Sequence, residues 1–363
     1  MAHNIEIQSN GTASMAFRAA GGTPWHSLGN ALPDGMTAEM AQQDGTYGMN
    51  YEVRLQEAFA DLDGVKTSIP KSHAVVRYFD GIARDVLSTV GDWFSAVQPA
   101  QLAMWADKLA GVSDGRAMLE TCGVLDGGRK IWFLMSYGDF LVPGDASPIK
   151  KYLLLTTGYD GTTKCTIRTV AERVVCHNTM DVALREGGTS IKRKNTKNNV
   201  VELDNAVNAL TECDNYFQAF EQMVDKLTRT PFSPDQFSRL VAILMPAKDE
   251  ANVPTRTTNR RDELNSMLQT TPGAQPGTAW GAWNAITDYV SHNMGTRGVD
   301  QTDGTALAER RAVQSMTIGH DFQQKALDLI LAATTENYGS LVLNQIARDS
   351  SSATPLLDSI LAR

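Results

Sequence analysis

The sequence has few cysteines and no long apolar run. Four cysteines in 363 residues (Cys122, Cys165, Cys176 and Cys213) are too few for a disulfide scaffold, and no two of them form a CxxC pair typical of a zinc site. No apolar stretch approaches the roughly 18 residues that cross a bilayer. The first ten residues have neither the basic nor the apolar region of a secretory signal. These absences exclude a disulfide-rich secreted domain and predict a cytoplasmic protein without a membrane partner.

Signatures of common enzyme sites are also missing. The sequence contains no GxxxxGK[ST] phosphate loop, no HExxH metal helix and no GxSxG nucleophile elbow. The six histidines are scattered, and no two of them have the helical spacing of a metal site. The sequence therefore predicts no cofactor and no metal, and it favours a role without catalysis while leaving an enzyme open.

Charge is unevenly distributed along the chain. The 33 Lys and Arg against 41 Asp and Glu give a net charge of −8, which argues against a general polyanion binder. Residues 164–197, called here the basic tract, hold eight basic and three acidic residues, a net charge of +5 that leaves −13 for the rest. The basic tract is thus the candidate surface for an anionic partner.

Three hairpins are predicted in the first half. Segments 72–79 and 84–90 flank Asp80-Gly81, segments 117–125 and 129–137 flank 126–128, and segments 151–157 and 163–169 flank 159–161. An amphipathic pattern over 99–110 predicts a helix that begins at Pro99. We expect a curved antiparallel sheet with packed helices.

The rest of the chain favours helices. Thr169 and Glu172 fit a capping box and predict a helix from there to about Arg185. Apolar periodicity from Leu203, a helix start at Ser233, and patterns over 278–292 and 321–332 predict further helices, with loops at 249–258 and 270–277. The predicted fold class is α+β, with a sheet domain over 1–200 that carries the basic tract and a helical region over 201–363.

Two clusters of polar and aromatic residues are candidate contacts to nucleic acid. Trp25 lies in a Gly-rich segment and could stack on a base, or it could plug the sheet. On a helix, Arg173 and His177 would share a face, where Arg173 could bind a phosphate and the adjacent Asn178 a sugar or base. The alternative is a buried polar network that fixes the helix on the sheet.

A third cluster is the run Lys192, Arg193 and Lys194. Such runs are commonly solvated surface. Here the run follows Arg168 and Arg173, so a continuous cationic path is the alternative.

Several motifs resemble a family of phage- and plasmid-encoded proteins known mainly as a domain of unknown function. They are Trp25-His26-Ser27-Leu28-Gly29, Gly128-Arg129-Lys130-Ile131-Trp132, the Tyr159-Asp160-Gly161 turn, Arg173 through Thr179, and Thr278 through Tyr289. The resemblance implies a bacteriophage or mobile-element setting. The expected sheet also looks like the core of single-strand-annealing recombination proteins, which form rings or filaments and hold single-stranded DNA in a basic groove. Tyr159 stands where the family pattern has a histidine, so no catalytic role is expected there.

The leading hypothesis is a phage-encoded protein that binds single-stranded DNA and promotes annealing or recombination without nucleotide hydrolysis, as a homo-oligomer. Its phosphate contacts would be Arg168, Arg173, Lys192, Arg193 and Lys194, with His177 and Asn178 beside them and Trp25 or Tyr159 stacking on a base.

Two alternatives remain open. The first is a factor that binds a phage or host protein through its acidic residues, as a host-defence inhibitor or virion subunit. The second is a nucleic-acid-processing enzyme that uses Asp160, His177 and Asn178.

Overall fold

The computed structural model of the chain describes residues 5–19, 28–145, 148–173, 190–196, 206–294 and 318–334. Strands dominate the N-terminal part of these residues and helices the C-terminal part, which confirms the predicted α+β class. In the described segments, no helix has the length and apolarity needed to cross a membrane.

Strands and helices are numbered in chain order. The strands are β1 (Met15–Arg18), β2 (Asn30–Leu32), β3 (Glu52–Leu62), β4 (Val65–Phe79), β5 (Ile82–Gly91), β6 (Met118–Leu125), β7 (Lys130–Phe140), β8 (Ile149–Gly158), β9 (Cys165–Arg173), β10 (Ser190–Arg193), β11 (Pro231–Phe232) and β12 (Gly277–Thr278). The helices are α1 (Ala38–Gln43), α2 (Pro99–Val112), α3 (Ala206–Arg229), α4 (Pro234–Leu244), α5 (Thr255–Thr270), α6 (Ala279–His292) and α7 (Ile318–Thr334).

The chain divides into two compact units. Of the described residues, the first unit holds 5–19, 28–139, 150–172, 190–196 and 206–217, and the second holds 140–145, 148–149, 173, 218–294 and 318–334. The division is therefore not a single cut of the chain, because α3 contributes residues to both units.

A seven-stranded sheet forms the larger layer of the first unit, in the order β10-β9-β8-β7-β6-β1-β2. The pairs β1–β6, β6–β7 and β9–β10 are antiparallel, and β1–β2 is parallel. Strands β8 and β9 are neighbours joined by a short turn, which only an antiparallel pair allows. The second and third predicted hairpins are thus confirmed.

A separate three-stranded sheet holds β3, β4 and β5. The predicted hairpin at Asp80-Gly81 is confirmed, and both residues have the positive φ (48° and 79°) of a two-residue hairpin turn. Arg77 is buried in this sheet and forms ion pairs with Glu6 (2.7 Å) and Asp85 (2.6 Å).

The core of the first unit lies between α2 and the seven-stranded sheet. Helix α2 contributes Leu102, Trp105 and Leu109, and the sheet contributes Phe133 and Leu153, all buried in one apolar cluster. The helix begins with a capping box between Gln98 and Gln101, and Pro99 is its first residue. The predicted helix at 99–110 is confirmed.

The prediction of a helix beginning at Thr169 is wrong for its first residues, because β9 continues through Thr169 to Arg173. The segment from Cys165 is rich in β-branched residues and pairs with β10, with Ile191 opposite Ile167 and Ser190 opposite Arg168. Sheet pairing and burial therefore override the local capping signal. Residues 174–189, where the rest of that helix was predicted, lie outside the described residues.

The second unit confirms several helix signals. At the start of α4, the Ser233 hydroxyl accepts from the Gln236 N–H (3.2 Å) and the Gln236 side chain accepts from the Ser233 N–H (2.8 Å). Helix α6 is capped by Thr278, and α7 spans the pattern over 321–332. The predicted loop at 249–258 is too long, since α5 begins at Thr255.

Candidate nucleic-acid interface

The candidate site lies at the end of β10, an edge strand of the seven-stranded sheet within the described residues. Lys192 is opposite Thr166 and Arg193 is opposite Cys165. Lys194, which follows Arg193, and Lys164, which precedes Cys165, are both exposed. The antiparallel register therefore brings the four basic positions 164, 192, 193 and 194 to one end of the β9–β10 pair.

Asn195 fixes this end of β10. Its side chain is buried, its Oδ1 accepts from the N–H of Cys165 (3.2 Å), and its Nδ2 donates to the carbonyl of Gly158 (2.9 Å). The same Nδ2 lies within hydrogen-bond distance of Thr157 Oγ1 and of the Thr163 carbonyl. Asn195 thus ties the residue after Lys194 to the β8–β9 turn, which positions Lys194.

A turn bearing an exposed tryptophan lies beside Asn195. The Phe94 N–H donates to the Gly91 carbonyl (3.1 Å) and closes a turn, called here the Trp93 turn, with Asp92 and Trp93 at its centre. The Ser95 N–H donates to the Asn195 carbonyl (2.9 Å), and Phe94 forms an antiparallel bridge with Thr196. The Trp93 turn is therefore bound through its backbone to the segment that follows Lys194.

The indole of Trp93 faces solvent. Its relative exposure is 80%, whereas Trp105, Trp132 and Trp280 are buried and Trp283 is half-buried. Burying a large aromatic ring is favourable, and the exposed indole of Trp93 keeps its apolar face available to a partner. An exposed aromatic face beside basic residues is the arrangement on which unpaired bases stack.

Asp92 is the acidic residue of the Trp93 turn. Its carboxylate lies 2.9 Å from Nε2 of His73 on β4. This contact holds the carboxylate to the three-stranded sheet and leaves the indole as the large exposed group of the turn.

Two residues predicted to contact DNA are buried, which corrects their assignment. Tyr159 has no exposed surface, its hydroxyl donates to the Val97 carbonyl (2.9 Å), and its ring packs edge-on against Tyr51. Burial raises the pKa of its hydroxyl well above the usual value. Arg168 is 3% exposed within β9. Tyr159 therefore cannot stack on a base, and Arg168 cannot reach a phosphate on the surface.

The other predicted residues fall into three groups. Lys194 is exposed in the site, and Lys192 and Arg193 lie on the edge strand beside it. Arg173 is the last residue of β9, so it is not on a helix face shared with His177. The predicted contacts Trp25, His177 and Asn178 lie outside the described residues.

Asp160, the acid of the enzyme alternative, holds the β8–β9 turn together. Its Oδ1 accepts from the N–H groups of Thr162 (2.9 Å) and Thr163 (2.7 Å), and its Oδ2 accepts from the Thr163 hydroxyl (2.7 Å). Partial burial alone would raise the pKa of Asp160, but the hydrogen bonds from Thr163 and Thr162 hold it below the usual range. The carboxylate thus has a structural role in the turn.

The described side chains form no evident metal site. In those ranges, no group of three or more His, Cys, Asp or Glu side chains has the geometry to hold a metal ion. Cys122, Cys165 and Cys213 are buried thiols that form no disulfide.

Trp93 is the site residue that sequence reasoning missed. The available signal was an aromatic residue within Gly91-Asp92-Trp93, a turn-forming sequence directly after an apolar strand. Its proximity to the basic tract could not be read from the sequence, because the two segments are about a hundred residues apart and are brought together by backbone pairing at Asn195 and Thr196.

The chain belongs to the family described as domain of unknown function (DUF932), which matches residues 86–313. The match includes the Trp93 turn and the basic tract, but not the Trp25–Gly29 cluster. No curated protein matches the chain. No solved structure matches it either.

Proposed function

We propose that this protein binds single-stranded DNA through the Trp93 turn and the basic end of the β9–β10 pair, and that it promotes annealing or recombination without nucleotide hydrolysis. The observation that carries the proposal is the exposed indole of Trp93, held by backbone hydrogen bonds beside the segment that follows Lys194. A bacteriophage or plasmid setting fits this activity, as does assembly into a homo-oligomer.

The chemistry of the site favours a single strand over a duplex. A base can stack on an indole only when it is unpaired, and such a contact contributes about 1–3 kcal/mol per base. The basic positions 164, 192, 193 and 194 would contact phosphates, which position the strand without reading its sequence. Binding of this kind leaves the hydrogen-bonding edges of neighbouring bases free to pair with a complementary strand.

The net charge of −8 limits how tightly one subunit would bind. Several subunits in one assembly would place their basic ends along one strand, and binding at one site would raise the effective concentration of DNA at the next. Each subunit would therefore bind DNA weakly, and oligomerisation would supply the affinity.

Equilibrium binding to labelled oligonucleotides of one sequence tests the proposal, with single-stranded DNA, single-stranded RNA and duplex DNA compared at low and high salt. We expect preferential binding to single strands that weakens with salt, and faster annealing of complementary strands in the absence of ATP. Equal affinity for duplex and single strand, or binding that does not respond to salt, would contradict it.

A further inference from the structure

A cleft in the first unit lies where the end of α1, the start of β3 and the start of α2 meet. Its volume is about 640 Å³, which is within the range of sites that hold small ligands. Four carboxamide side chains line it, those of Gln42, Gln43, Asn50 and Gln98. None of these residues belongs to the candidate nucleic-acid interface, so the cleft is a separate site.

Gln98 builds one wall of the cleft. Its Oε1 accepts from the Val53 N–H (2.9 Å), and its Nε2 donates to the Val53 carbonyl (2.8 Å). The Gln98 N–H in turn donates to the Gln101 side chain (2.9 Å). These bonds fix the start of α2 to β3, so this wall is in place before a ligand enters.

Gln42 brings an unsatisfied acceptor to the cleft. Its side chain is buried, with the residue 7% exposed, and its Nε2 donates to the Met49 carbonyl (3.0 Å). A carbonyl oxygen only accepts, so this bond fixes which end of the Gln42 amide is the oxygen. Among the described residues, no donor contacts Gln42 Oε1. Leaving a buried acceptor unpaired is unfavourable, so the cleft favours a ligand that donates a hydrogen bond there.

Asn50 lies close to this acceptor, because it directly follows Met49. Its half-buried carboxamide has no hydrogen-bond partner in the part of the chain that the structure describes. Gly45 leaves room for it, since a Cβ placed on Gly45 would lie 3.3 Å from Asn50 Nδ2. The cleft therefore offers an unpaired acceptor and an unpaired amide near each other.

The charged residues of the cleft also favour a ligand that donates hydrogen bonds. Arg54 is paired with Glu52 (2.7 Å), and its guanidinium lies 4.5 Å from the centre of the Tyr78 ring. The Asp80 carboxylate forms no ion pair with the described residues. Two carboxylates against one guanidinium leave the lining with a negative charge, which disfavours a phosphate group.

We infer that the cleft binds a nucleobase that carries an exocyclic amine, such as adenine. The amine would donate to Gln42 Oε1, and an adjacent ring nitrogen would accept from Asn50 Nδ2, which is the donor–acceptor pattern that carboxamides read on adenine in DNA. Hypoxanthine, with a carbonyl in place of the amine, would set two acceptors against each other. The base would come from a free nucleoside or from an unpaired strand, and the inference does not rest on the proposed function.

Equilibrium dialysis of the full-length protein without DNA tests the inference. We expect adenosine to bind ~10-fold more tightly than inosine, because the hypoxanthine base of inosine leaves Gln42 Oε1 unpaired. Adenosine should also bind more tightly than adenosine monophosphate, whose phosphate meets the negative lining. Equal binding of adenosine and inosine, or no binding of adenosine, would overturn the inference.

Variants locate the binding. Asn50→Ala should raise the dissociation constant for adenosine ~10-fold. Gln56→Ala is the matched control, because it removes an exposed carboxamide of β3 outside the cleft and should leave the constant unchanged. An equal effect of these two variants would refute the site. Trp93→Ala should retain adenosine binding, and a loss there would assign the binding to the nucleic-acid interface instead of the cleft.

Competition identifies the source of the base. Displacement of adenosine by oligo(dA) but not by oligo(dT) would support the inference with a strand as the source. Adenosine retained in the presence of both would support it with the free nucleoside as the source. Equal displacement by oligo(dT), whose base has no exocyclic amine, would contradict it.

Discussion

The backbone N–H of Ser95 donates to the backbone carbonyl of Asn195 at 2.9 Å. This hydrogen bond joins the Trp93 turn to the residue after Lys194. Backbone hydrogen bonds and the buried side-chain amide of Asn195 thus position the aromatic and the basic parts of the candidate interface. The Asn195 side chain, which reaches Cys165 and Gly158, is consequently the structural support of the site.

Replacing Asn195 with alanine should destabilise the fold and loosen the interface. The change removes the acceptor of the Cys165 N–H and the donor to the Gly158 carbonyl, and burying such groups without partners costs roughly 1–3 kcal/mol. Urea unfolding would measure the loss. Asn252→Ala is the control, because its amide makes an exposed bond to Asp249 and its removal should cost less than about 0.5 kcal/mol. Equal stability of the two variants would contradict the role of Asn195.

Replacing Lys194 with alanine should reduce the salt dependence of DNA binding. If Lys194 neutralises one phosphate, the negative slope of log affinity against log salt should become shallower by roughly 0.7 for a single strand. Binding isotherms over a range of salt concentrations would measure this slope. Lys248→Ala, which removes an exposed lysine of the second unit, should leave the slope unchanged. Identical slopes for Lys194→Ala and wild type would exclude Lys194 from the interface.

Asp160 should stabilise the fold in a pH-dependent way. Its pKa is lowered in the folded protein, so its stabilisation is present above the ordinary aspartate pKa and is lost as the pH falls through the folded pKa below it. The difference in unfolding free energy between wild type and Asp160→Ala should therefore be largest near neutral pH and shrink in acid. Denaturant unfolding across the acidic range would show it. A difference that grows on acidification would contradict the assignment.

The sequence predicts local structure well where a short signal agrees with packing. The Asp80-Gly81 turn and the Ser233 capping box are examples, since both satisfy their own backbone. Thr169 shows the limit of such local signals. It fits a helix capping box in the sequence, but in the folded chain it is buried in β9, which pairs with β10. Helix α5 has no clear apolar stripe and buries only Leu264, Met267 and Leu268, so periodicity did not predict it.

The candidate site was predictable only in part. The basic run at Lys192–Lys194 is a feature of composition and can be read directly. The burial of Tyr159 depends on its contacts with Tyr51 and Val97, and the burial of Arg168 depends on the pairing of β9 with its neighbours. The proximity of Trp93 depends on a contact between segments far apart in sequence. Residue types therefore indicated the chemistry, while long-range strand pairing decided which residues are accessible for it.

The most direct test of the central claim is the affinity of Trp93→Ala and Trp93→Phe for a single-stranded oligonucleotide. If one base stacks on the indole, Trp93→Ala should raise the dissociation constant roughly 5- to 150-fold, since stacking contributes about 1–3 kcal/mol. Trp93→Phe, which keeps an aromatic face, should recover part of that loss. Because Trp93 is exposed, both variants should unfold at the wild-type temperature. Wild-type affinity in Trp93→Ala would contradict the account.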